Sequence, residues 1–99
     1  MAYLGIVPAI TVIESNPGDI LWKTVDVTAI NTTVNIVFNT EGPKEMYVAV
    51  TMTGDQTGFA FGPDIEWIGG SFPGYTPSST EIWKFLTPDG ETIYGTKLS

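Results

Sequence analysis

Asp64 and Glu66 are the residues of this chain best spaced for chemistry. They stand two apart in Pro63-Asp64-Ile65-Glu66-Trp67. On an extended strand, residues two apart share a face, so the two carboxylates would form a pair of the kind that glycoside hydrolysis uses. The ordinary reading weighs more: acids at a strand start after proline are common surface residues, and a 99-residue β domain offers little cleft to shield them. The chain has no histidine and no cysteine. That removes the commonest general base, the commonest transition-metal ligand and all thiol chemistry. Asp19, Asp26, Asp55 and Asp89 are scattered. Gly54-Asp55-Gln56 and Pro88-Asp89-Gly90 hold oxygens of the type calcium takes, but neither has EF-hand spacing and turn chemistry accounts for both. The expectation is no catalytic residue, no metal and no cofactor.

The aromatic residues are the other candidates. Trp67, Trp83 and Tyr94, with Tyr75 nearby, have the flat faces that stack on sugars. Against this, Glu81, Trp83 and Phe85 alternate with Ile82, Lys84 and Leu86, and neither face of that strand is cleanly polar. Both faces are then expected to be covered, which favours core or subunit interface over a sugar platform. Phe72 and Tyr75, in the loop from Gly69 to Ser79, are candidate contacts with a partner or subunit. So are Tyr3, Leu4, Ile6 and Val7 at the apolar N-terminus.

These residues need a sheet to hold them, and the chain supplies β signals throughout. Val25, Val27 and Ala29 alternate with Thr24, Asp26 and Thr28, and Trp22 lies on that second side. Val34, Ile36 and Phe38 share one face, as do Met46, Val48, Val50 and Met52. Turn clusters recur about every ten residues. In Pro88-Asp89-Gly90, proline fixes φ, aspartate bonds nearby backbone and glycine takes the left-handed conformation, so Glu81–Thr87 and Glu91–Gly95 read as a hairpin. Further strands are expected at Ala9–Glu14, Thr57–Phe61 and Ile65–Ile68. No window has helical periodicity, and no internal repeat stands out. The expected fold is all-β: a single-domain antiparallel β-sandwich or barrel of seven or eight short strands. Residues 1–14 form an extended arm or first strand, and residues 15–99 form the domain.

Composition narrows the partners. Net charge is −7, with four lysines and no arginine. Such a chain neutralises few phosphates, so neither nucleic acid nor an anionic membrane is an expected partner. Hydrophobic residues make up 42% and charged residues 15%, the balance of a folded domain. No run is long enough to cross a membrane, and no secretory leader is apparent, so synthesis in the cytoplasm is expected.

From Asn31 to Gly95 the order of short motifs resembles a small all-β module of tailed-bacteriophage virion proteins, often found at the ends of tail fibres. The matching pieces are Asn31-Thr32, Phe38-Asn39, the alternating strand Met46 to Met52, and Gly54-Asp55-Gln56-Thr57-Gly58. They continue with Trp67-Ile68-Gly69-Gly70-Ser71-Phe72-Pro73, Asp89-Gly90 and Tyr94-Gly95. Ile68 stands where the module has proline, and Ile93 where it has tryptophan. The resemblance implies a non-enzymatic virion component with no catalytic residues to carry over. A module without a shaft implies capsid decoration (a cement protein), bound to the major capsid protein or other virion proteins and homo-oligomeric, with a trimer expected. The arm would add to a neighbour's sheet. The alternative is a tail-fibre or tail-tip module that binds a host receptor or glycan through Trp67, Trp83 and Tyr94.

Overall fold

The computed structural model describes residues 9–18, 21–39, 41–53 and 57–98. Eight strands form two sheets: β1 Ala9–Ser15, β2 Trp22–Val27, β3 Thr32–Phe38, β4 Glu45–Met52, β5 Ala60–Gly62, β6 Ile65–Trp67, β7 Thr80–Leu86 and β8 Ile93–Lys97. Sheet order is β1-β3-β5 in one and β2-β4-β7-β8-β6 in the other. The described residues contain no helix.

The expected antiparallel arrangement is corrected. The pairs β1–β3, β3–β5, β2–β4 and β6–β8 are parallel; only β4–β7 and β7–β8 are antiparallel. The reason lies in the connections. From β1 to β6 the chain changes sheet at every strand, so each turn is an arch between sheets rather than a hairpin within one. The strand in the opposite sheet serves as the crossover that parallel pairing requires. Ala9 pairs with Thr32, Trp22 with Tyr47 and Thr33 with Ala60, so successive passes are offset by 23, 25 and 27 residues. This drift is why no fixed period shows in the sequence.

Turns stack as the strands do. Asn39 N–H donates to the Ser15 carbonyl (3.1 Å), and the Asn39 and Asn16 side chains bond to each other. The buried Ser15 hydroxyl donates to the Pro43 carbonyl at 2.8 Å. At the opposite end, Asn31 N–H donates to the Thr57 carbonyl at 2.7 Å.

The sheets enclose one core. Val34, Ile36, Phe38 and Phe61 meet Val25, Val27, the four expected residues of β4, and Trp83, Phe85 and Ile93. The period-two reading of β2, β3 and β4 is therefore correct side chain by side chain. The β7–β8 hairpin also forms as expected, although its connection runs over residues 87–92. Asp89 Oδ1 accepts from the Glu91 and Thr92 N–H groups at 2.9 and 2.8 Å, and Gly90 has φ 83°. β5 starts later than the expected Thr57, and β6 ends at Trp67. Ala9–Ser15 is a paired strand of the smaller sheet, so a boundary after Glu14 would cut β1.

Candidate interaction surface

Inserting the β7–β8 hairpin between β4 and β6 makes one sheet two strands wider than the other. At a strand spacing of ~4.8 Å, this leaves about 10 Å of inner face that β1, β3 and β5 cannot cover. Aromatic side chains fill the gap. Phe61 of β5 packs on Trp83 and Phe85 of β7 at ring distances of 4.7 and 4.9 Å. Trp67 of β6 meets Trp83 edge-on at 5.7 Å. The loop of residues 69–79 folds back over them. Its Phe72 ring lies parallel to Trp83 at 5.6 Å and 7°, and its Tyr75 packs edge-on against the buried Phe59 at 5.3 Å.

A charged clamp holds the same loop. Glu81 points inward beside Trp83 and is buried. Its Oε2 accepts from the Thr76 N–H at 3.0 Å and lies 2.6 Å from Lys97 Nζ. The Lys97 ammonium also reaches the Gly74 carbonyl at 3.5 Å and sits over the Trp83 ring at 5.6 Å. Burial is affordable for this carboxylate because a cation and a backbone donor meet it. Glu81 Oε1 and Trp83 Nε1 have no hydrogen-bond partner among the described residues.

The outer face of the five-stranded sheet has a different character. Register aligns Trp22, Tyr47, Lys84 and Thr96 in one row across β2, β4, β7 and β8. Trp22 and Tyr47 stack at 4.9 Å and 18°, and Lys84 Nζ covers Tyr47 at 5.3 Å. The Tyr47 ring thus stands between Trp22 and Lys84, while Trp22, on the edge strand, has Tyr47 on one side only. Flanking rows bring Leu86 beside Tyr94, and Ile82 beside Leu98. Trp22 is 51% exposed, Ile68 56% and Leu98 52%. Asp26, Glu45 and Glu66 lie around this apolar field.

No family model, curated protein or solved structure matches this chain. The geometry therefore carries the assignment of each candidate residue. Trp83 is 0% exposed and cannot stack on a glycan, which corrects its place in that set; it is core because it faces inward between Glu81 and Phe85. Trp67 is half-buried, with its ring against Phe61, Phe72 and Trp83. Only Tyr94 of the three presents its side chain on the outer face. Phe72 and Tyr75 are half-buried and packed on their own core, so they are not a free contact surface. Tyr3, Leu4, Ile6 and Val7 lie outside the described residues, as do Gly54, Asp55 and Gln56. Asp64 and Glu66 are both exposed, and among the described residues no cleft encloses them. Asp89 has its carboxylate committed to its own turn. The Thr92 N–H first, and then the Glu91 N–H, hold its pKa below the ordinary value.

Sequence reasoning missed the Trp22–Tyr47 pair. Its signal was present: both residues occupy the side of an alternating strand opposite the apolar set. Large aromatics on a solvent side are informative where a buried one is not.

Proposed function

We propose that this chain is a non-enzymatic structural protein of a tailed-bacteriophage virion, acting as a capsid decoration protein through protein–protein contacts. The observation that carries the proposal is the distribution of aromatic residues. Those in the Asp64–Gly95 segment are mostly spent on closing the domain, while Trp22, Tyr47 and several aliphatic side chains remain on the outer face of the larger sheet. A domain with a filled interior and apolar side chains exposed on its larger sheet suits reinforcement of a shell. The parallel passes with stacked arches further favour a short solenoid-like coil over a sandwich or barrel. The motif order from Asn31 to Gly95 supports the virion assignment. The two exposed carboxylates, with no wall to shield them, support a non-enzymatic role. In this proposal the protein is a homotrimer on the capsid surface, bound to the major capsid protein.

Immunogold labelling of purified virions with antibody to this chain tests it. Label over the shell is expected. Label confined to tail appendages would overturn decoration in favour of a tail module, and unlabelled virions would overturn both. A tail module keeps one supporting observation: Trp22, 51% exposed at the edge of its sheet, has one ring side away from Tyr47.

A further inference from the structure

The outer face of the five-stranded sheet has a centre and a rim of opposite chemistry. Trp22, Tyr47, Lys84 and Thr96 form one row, flanked by Leu86 and Tyr94 on one side and by Ile82 and Leu98 on the other, with Trp22 at the β2 edge. Asp26, Glu45 and Glu66 sit at the periphery, and the only lysine on the face, Lys84, is drawn over the Tyr47 ring. The rim is therefore acidic, and the Trp22 and Tyr47 rings are already stacked on each other. Prestacked aromatics lose little side-chain freedom on docking, and aromatic anchors inside a polar rim are the anatomy of a protein interface.

We infer that this face docks a protein surface with an apolar centre and a lysine- or arginine-rich rim. The inference rests on the proposal that the chain works through protein contacts and names the partner's chemistry. Charge selects this occupant over the others. A second copy would set one acidic rim against another on chains that each carry −7. Like charges across an interface cost several kcal/mol. Anionic lipid and nucleic acid meet the same repulsion. Any trimer then forms through a different surface, and this face stays open for the partner. A glycan is disfavoured because both sides of the Tyr47 ring are occupied, by Trp22 and by Lys84.

Three synthetic twelve-residue peptides serve as probes for the full-length protein: alternating leucine–lysine, leucine–glutamate and serine–lysine. Binding is followed by amide chemical shifts at 0.15 M salt. The leucine–lysine peptide is expected to bind at least tenfold more tightly than either control, with shifts concentrated on β2, β4, β7 and β8 outer-face residues. Trp22→Ser with Leu98→Ser should remove that tenfold preference. Glu45→Gln with Glu66→Gln should flatten its salt dependence. Both pairs alter exposed or half-exposed positions, and near-ultraviolet dichroism from buried Trp83 checks the fold. Equal binding of leucine–glutamate, shifts mapping elsewhere, or a dimer in sedimentation that Leu98→Ser dissolves would each overturn the inference. None of these readouts uses virions, so the peptide result stands apart from the labelling result.

Discussion

Gly42→Ala is the sharpest probe of how this chain is held together. Gly42 sits in the turn between β3 and β4, beneath the Ser15 carbonyl that ends β1. A Cβ there would lie 2.9 Å from the Ser15 carbonyl carbon and closer still to its oxygen, against an ordinary contact of 3.4 Å or more. Both are backbone atoms, so no side chain can swing aside. Relief of the carbon contact alone requires the two turns to part by about 0.5 Å, given the usual approach distance of uncharged atoms. That movement stretches the Asn39 N–H to Ser15 carbonyl bond, now 3.1 Å, past the limit of a hydrogen bond. It also pulls the buried Ser15 hydroxyl from the Pro43 carbonyl. Two hydrogen bonds at ~1 kcal/mol each, with residual overlap, give a loss of about 2–3 kcal/mol. For a domain of this size that lowers Tm by roughly 10–20 °C.

Urea unfolding followed by tryptophan fluorescence measures the loss directly. Gly90→Ala is the control, because it has φ 83° and no atom within 4 Å of a new Cβ. Its cost is left-handed backbone strain alone, about 1 kcal/mol. If turn stacking matters as argued, Gly42→Ala must be the more damaging of the two, although its own φ needs no glycine. A Gly42→Ala protein within 0.5 kcal/mol of the parent would refute the stacked-turn account, and with it the parallel register of β1 on β3.

Three further outcomes are expected. Glu81→Ala strands the Lys97 ammonium and frees Thr76 N–H; because Lys97 is one-fifth exposed, the loss should sit at the low end for a buried pair, about 3 kcal/mol, and amide exchange at Thr76 should accelerate. Unchanged exchange at Thr76 would show that the clamp does not hold the loop. Acrylamide should quench Trp22 most and Trp83 least, so Trp22→Phe should remove most of the quenchable signal, whereas its loss on Trp83→Phe would contradict the assigned faces. Backbone N–H groups hold the pKa of Asp89 below the ordinary aspartate value of about 3.8, so its stabilising effect is present above that value and is lost as pH falls through the lower folded-state pKa. Asp89→Ala should therefore weaken the protein at pH 7 and approach the parent's stability as the carboxyl becomes protonated in acid; a deficit unchanged by acid would assign the effect to the turn's shape instead.

The faces of β2, β3 and β4 were legible because alternation reports burial one residue at a time. Direction of pairing was not legible. Parallel strands are usually covered on both faces and read as continuous apolar runs. Here each parallel pair has one face open to solvent, so Val34-Asn35-Ile36-Val37-Phe38 and Met46-Tyr47-Val48-Ala49-Val50 look like strands of an antiparallel sheet. The turn residues give no correction, since Ser15-Asn16-Pro17-Gly18 and Glu41-Gly42-Pro43 suit an arch as well as a hairpin. Only contacts between turns 23 to 27 residues apart distinguish the two, and these depend on close approach that no local pattern encodes.

The same limit explains why the aromatic segment first suggests a binding site. Trp67, Tyr75, Trp83 and Tyr94 read as a ligand-stacking set, yet the positions of the first three follow from strand count. Three strands cannot cover five, and the chain supplies the missing cover from its own loop. Phe72 lies parallel to Trp83 where a sugar ring would otherwise stack, so the loop occupies the site that the sequence suggests. A side chain tethered a few residues away competes at high effective concentration, and a free ligand of ordinary affinity would have to displace it together with the Glu81–Lys97 clamp. The proposed recognition face is accordingly the opposite side of the sheet. There Trp22 and Tyr47 satisfy each other but not their outer edges, and the acidic rim leaves basic chemistry to the partner.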